Sequence, residues 1–117
     1  MSAASRAEPL PLRPLVFAIL IALNEDSRHG YALMNVVNER MNRRALLGPG
    51  TLYRTLKELR EDGLIEYAPA PSDADPRRRY YAITVEGRAA ARAEAARMAS
   101  WVEAARKGRL LGGGDAA

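Results

Sequence analysis

The chain has 117 residues, 48% hydrophobic and 27% charged, with a formal net charge of +4. That is one domain's length, too short for a large enclosed active site and too apolar for a disordered chain. It contains no cysteine, which excludes disulfide frameworks, thiol catalysis and the common zinc-finger ligand sets, and fits a cytoplasmic location.

The positive charge suits an acidic partner, either nucleic acid or an anionic membrane surface. Arginine far outnumbers lysine. Phosphate and guanine recognition by guanidinium forks would explain that excess, and so would a genome bias that also enriches alanine.

Residues 1–11 are small, polar and proline-containing and read as a flexible arm. The apolar run LVFAILIAL at 15–23 is too short to span a bilayer. Pro9, Pro11 and Pro14 crowd its start and no small-residue cleavage site follows, so it reads as a buried helix rather than a signal-peptide core. Pro14 suits that helix's first turn, and Asn24 to Asp26 end it. Ser27 is the candidate N-cap of a second helix over about 28–42, with Leu33, Met34, Val37 and Met41 inward. His29 is the only histidine, has no carboxylate at ligand spacing and reads as a surface residue, so no metal or other cofactor is expected. Arg43 to Gly50 is a turn ending in Gly-Pro-Gly.

The third helix begins there, in the stretch GPGTLYRTLKELREDGLI at 48–65. Leu52, Leu56 and Leu59 supply its apolar stripe, and Gly63 ends it as a C′ glycine. Its outer side runs against the helix dipole. Thr51, Tyr53, Arg54 and Lys57 come first while Glu58, Glu61 and Asp62 come last, whereas a merely solvated helix gains from the reverse order. Tyr53 and Lys57 share one flank, and Arg54 lies almost opposite Leu52.

The period then changes from 3.6 to 2. Leu64 to Ala68 and Arg79 to Val85 read as two strands, with Tyr81, Ile83 and Val85 on one face. Between them PAPSDADPRR is too long for a tight turn, so the hairpin projects. Thr84 caps a last, alanine-rich helix over about 86–107, and Arg106, Lys107 and Arg109 complement its dipole. Met98, Trp101, Val102 and Ala105 form its bulky stripe, and Ala89, Ala93 and Ala96 allow close approach of another helix. Residues 108–117 read as a frayed tail.

The fold expected is mainly α with a small β-hairpin: a winged helix-turn-helix over 12–85 followed by a C-terminal helix. In helix-turn-helix proteins the second helix of the motif enters the major groove with its N-terminal residues forward. Thr51, Tyr53, Arg54 and Lys57 occupy that half, which explains the inverted charge order. A solvated face is the plainer reading of these residues, and Tyr53 could pack instead. Arg77, Arg78 and Arg79 at the hairpin tip would grip phosphate or the adjacent minor groove.

HGYAL at 29–33, GTLYRTLKELREDGLIE at 50–66 and RRYYAITVEGR at 78–88 together resemble the PadR family, over roughly residues 12–107. The resemblance implies a homodimeric bacterial transcriptional repressor, released from an inverted-repeat operator in double-stranded DNA by a small molecule or stress signal. It implies dimerisation through the last helix, whose shortness matches the small subfamily, and a backbone-phosphate contact by Tyr31, for which packing is the alternative. Trp101 is the only tryptophan. It either packs in the dimer core or, as in some multidrug-sensing relatives, lines a flat pocket for a planar apolar effector between subunits. The chain departs from the family pattern in Asp73 and Asp75 beside the wing arginines, an acidic side that should face away from phosphate. The last helix is also unusually rich in alanine.

No Ser/His/Asp or Cys/His set and no glycine-rich phosphate loop after a strand is present, so an enzyme is not expected. The rival from another class is a winged-helix module that binds protein. It would bind an apolar surface with little dependence on salt, whereas DNA binding would be steeply salt-dependent.

Overall fold

The computed structural model describes residues 11–41 and 47–112. Its elements are α1 (Pro14–Glu25), β1 (Arg28–His29), α2 (Gly30–Arg40), α3 (Pro49–Glu61), β2 (Ile65–Ala68), β3 (Tyr80–Ile83) and α4 (Val85–Lys107). The strands form one antiparallel sheet in the order β1-β3-β2, with Ile65 opposite Ile83 and Arg28 opposite Tyr81. Three helices, a hairpin and a long final helix make the expected winged helix-turn-helix. Most of the expected arm, part of the 43–50 turn and residues 113–117 of the tail lie outside the described residues.

α1 is apolar on most of its circumference because it is surrounded. It packs against α2, α4 and β3, and Val16, Ile19, Leu20 and Leu23 enter the core. Leu33 and Val37 of α2 meet them, as do Leu52, Leu56 and Leu59 of α3 and Ile65, Tyr81 and Ile83 of the sheet. Among the described residues no helix is long and apolar enough to cross a membrane.

The joint between α3, the hairpin and α4 gives a physical reason for the Tyr-Tyr-x-x-Thr-x-x-Gly pattern. Gly63, at φ 77°, turns the chain out of α3, with the Leu64 N–H donating to the Leu59 carbonyl at 2.9 Å. The Thr84 hydroxyl donates to the Gly63 carbonyl at 2.7 Å and accepts from the Gly87 N–H at 3.0 Å, so one side chain caps α4 and ties it to the end of α3. Gly87 passes so close to the Leu64 carbonyl that a Cβ there would overlap it.

Three sequence expectations are corrected. Ser27 does not cap α2; His29 does, its Nδ1 accepting from the Ala32 N–H at 3.2 Å. Arg28 and His29 are instead an edge strand, too short at two residues to leave a periodic signal. Val85 does not continue β3. Capping by Thr84 starts the helix there, and Val85 is 75% exposed. Residues 108–111, read from the sequence as part of the tail, form a turn. Arg109 turns left-handed at φ 66°, and the Leu110 N–H returns to the Ala105 carbonyl at 2.8 Å, closing α4 with a hydrogen-bonded turn.

Candidate nucleic-acid interface

α3 is held by its leucine stripe and by the turn that delivers it. The Asn38 side-chain amide pairs with the backbone of Leu47, its Nδ2 donating to the carbonyl at 3.1 Å and its Oδ1 accepting the N–H. This fixes the approach to α3 against α2. Pro49 then occupies the first helical turn, where a missing N–H costs nothing.

With Leu52, Leu56 and Leu59 buried, Thr51, Arg54 and Lys57 are exposed. Arg54 Nη2 lies 3.5 Å from Thr51 Oγ1, and Lys57 Nζ is 3.9 Å from Glu61. Both are long contacts between exposed groups and hold little. Glu58 is engaged elsewhere, 3.4 Å from Arg13.

Tyr53 packs, but not on the leucine stripe. Its ring lies over Gly30, where any Cβ would collide with it, yet half of the residue stays exposed. Tyr31, the next residue after that glycine, is 61% exposed.

The three wing arginines have three different neighbours. Arg77 folds back on Asp75, with Nη2 3.0 Å from Oδ2 and Nε 3.2 Å from Oδ1, and its backbone N–H donates to the same carboxylate at 2.9 Å. The Arg77 side chain, then its N–H, hold the Asp75 carboxyl below the usual carboxylate range. The acidic side of the loop therefore does not simply face away, because Asp75 neutralises its neighbour.

Arg78 Nη1 lies 2.6 Å from His29 Nε2. A neutral imidazole has one bare nitrogen, so it cannot accept from both Ala32 and Arg78. Burial, then the Arg78 charge, push the His29 pKa down.

Arg79 lies on the Tyr67 ring, its guanidinium carbon 4.4 Å from the centroid, and Arg60 of α3 lies on the same ring at 4.2 Å. Sequence reasoning missed Arg60, Tyr67 and the capping role of His29. For Arg60 a signal existed: it follows Lys57 by three residues and Tyr53 by seven, on the same flank of α3.

α4 begins as part of the core and ends outside it. Gly87, Ala91 and Glu94 face inward. Buried Glu94 accepts the Leu12 N–H at 3.0 Å and pairs with Arg97. That N–H first, and Arg97 second, lower its pKa.

At about 100° per residue, Met98, Trp101, Val102 and Ala105 continue the inward stripe beyond the reach of α1. Met98 and Val102 are each 43% exposed and Trp101 71%. Ala89, Ala93 and Ala96 lie on the opposite face. The seven residues expected at the dimer interface therefore divide between two faces of α4. An open groove of about 370 Å³ beside Trp101 is lined by Pro11, Glu94, Arg97, Met98 and Val102.

The model of the transcriptional regulator PadR-like family matches residues 19–93. Among solved structures, RosR of H. salinarum is 29% identical, with a TM-score of 0.64 over 76% of each chain. A transcriptional regulator from Clostridium thermocellum is 21% identical, with a TM-score of 0.65 over 92% of this chain and 96% of that one. Bacillus subtilis PadR, solved in complex with operator DNA, is 24% identical, with a TM-score of 0.55 over 65% of this chain and 43% of its own length. A search of curated proteins gave no match.

Proposed function

The chain belongs to the PadR-like family of transcriptional regulators, and from that premise we propose that it is a homodimeric repressor reading an inverted repeat and released by a small planar effector. It is a DNA-binding regulator of transcription and not an enzyme. The observation that carries the DNA surface is the exposed row Thr51, Arg54 and Lys57 on the leading half of α3, beside a wing bearing Arg77, Arg78 and Arg79. Tyr31 and Tyr53 extend that surface over the start of α2. A helix in the major groove and basic groups on flanking phosphates is the division of labour such a shape supports.

The dimer reading rests on the stripe of Met98, Trp101, Val102 and Ala105, apolar surface that in a single chain meets water. Ala89, Ala93 and Ala96 would take part only if a second element of the partner reached the opposite face of α4. Trp101 borders the open groove, and a planar apolar molecule there would press on the same stripe. Linkage then requires operator and effector to weaken each other by the same factor.

The test is a footprint on the chain's own promoter, together with binding measured against salt. Protection of an inverted repeat with half-sites roughly 34–36 Å apart is the result expected. Binding indifferent to salt would replace this reading with a protein-binding module. In sedimentation Val102→Asp should give monomers where the parent gives dimers, since the substitution buries an unpaired charge.

A further inference from the structure

Tyr67 sits on the central antiparallel pair of the wing, 44% exposed, with its ring against the ring of buried Tyr81 at 5.5 Å between centroids. Two guanidiniums rest on that one ring, Arg60 from the last turn of α3 and Arg79 from the residue just before β3. Neither has a carboxylate partner among the described residues, although most of the other ion pairs on this surface are made. The Arg60 Nε is buried without a hydrogen-bond acceptor. Bringing two like charges to one site is unfavourable, and the ring quadrupole offsets only part of it. An anion beside the two guanidiniums would offset the rest.

The way each arginine is held points to which anion. Arg77 spends its donor edge on a carboxylate, and Arg78 is turned to an imidazole. A guanidinium lying on a ring uses its π face and leaves edge N–H groups for phosphate oxygens; in Arg60 these are the terminal Nη groups, because its Nε is buried. The site lies on the Tyr53–Lys57 flank of α3, at the seam between helix and wing.

We propose that Arg60, Tyr67 and Arg79 form a clamp for one backbone phosphate of duplex DNA. Tyr67 is its positioning residue and Arg60 a contact not foreseen from the charge pattern of the wing. The clamp rests on the DNA-binding reading and adds to it a phosphate anchor between the reading helix and the wing, at which the spacing of the two is set. Because a backbone phosphate is present at every sequence, the clamp acts on specific and non-specific duplexes alike.

The experiment measures binding of the full chain to a labelled random-sequence duplex by anisotropy over a salt series. The variants are Arg60→Gln, Tyr67→Leu, Tyr67→Phe and Arg54→Ala, each checked for folding by circular dichroism. Arg60→Gln should lower the salt slope by about one, the signature of one lost phosphate contact. Tyr67→Leu should weaken binding about two- to fivefold, the effect of removing an exposed cation–π contact, while Tyr67→Phe keeps the ring and the affinity. Arg60→Gln with unchanged slope and affinity overturns the clamp, even if Arg54→Ala weakens binding and so upholds the DNA reading. Equal losses in Tyr67→Phe and Tyr67→Leu overturn the role of the ring. A parent chain that binds no duplex removes the DNA reading and the clamp together.

Discussion

α3 and the wing carry the basic side chains of the same surface, and they hold them by opposite means. On α3 the backbone does the work. Three leucines at 1–3% exposure lock the helix, so Thr51, Arg54 and Lys57 point outward by helical period alone and need no partners. On the wing every arginine has a close neighbour, and the neighbour decides what its charge can do: a carboxylate paired with Arg77, an imidazole beside Arg78, an aromatic ring under Arg79. The helix is a rigid mount. The strength of the wing is set by neighbours such as His29, 49 residues away in sequence.

The largest effect that sharpens this contrast is on stability. Leu56→Ala should cost about 2–5 kcal/mol, the range for a fully buried leucine, because the anchor of α3 is also part of the hydrophobic core of the described residues. Asp75→Asn, at the wing tip, should leave the unfolding midpoint unchanged. Urea unfolding of both variants measures the difference. A Leu56→Ala protein as stable as the parent would mean that α3 is not locked as described.

The next effect is on binding. Arg54→Ala should cost about 1–3 kcal/mol if Arg54 meets a base edge, and it should relax specificity at one position of each half-site. Arg77→Ala should cost less, because Asp75 already offsets its charge. For the same reason Asp75→Asn should strengthen binding and steepen its salt dependence, by freeing Arg77 and removing a charge that repels phosphate. Competition binding on operator and random duplex separates the two behaviours. Equal losses for Arg54→Ala and Arg77→Ala would erase the distinction between helix and wing.

That distinction also explains what could be read from the sequence. The leucine spacing of α3, the glycine after it and the threonine before α4 were legible because each acts within a few residues, through a fixed period or one cap. The order of charges on α3 was legible for the same reason. The approach of Arg78 to His29 and the two arginines on Tyr67 were not, because they follow from how β1, β2, β3 and α3 come together. Glu94 was invisible among alanines for a related reason: its partner is the backbone N–H of Leu12, and backbone leaves no mark in composition. The separation of Ala89, Ala93 and Ala96 from the bulky stripe was legible by counting 100° steps.

The smallest effect is a pH dependence centred on His29, and it tests whether the wing is tied to the start of α2. Its Nδ1 must be bare to accept the Ala32 N–H, and protonation would turn the ring into a donor on both sides. It would also set a positive charge against the Arg78 guanidinium, across from the edge of Tyr80, and at the positive end of the α2 dipole. Burial and Arg78 accordingly depress its pKa below the ordinary 6.5. The folded state thus binds this proton less readily than the unfolded chain does. The stabilisation is fully present above about pH 6.5, where both states are neutral, and is lost as the pH falls through the depressed value. As the only histidine, it is the one side chain whose ordinary titration falls between pH 5 and 8. The urea midpoint of the parent should therefore fall between pH 7.5 and pH 5, and His29→Asn, which keeps an N-capping side chain but does not titrate, should show a flatter profile. Parallel profiles for the two proteins would mean that the imidazole is a bystander.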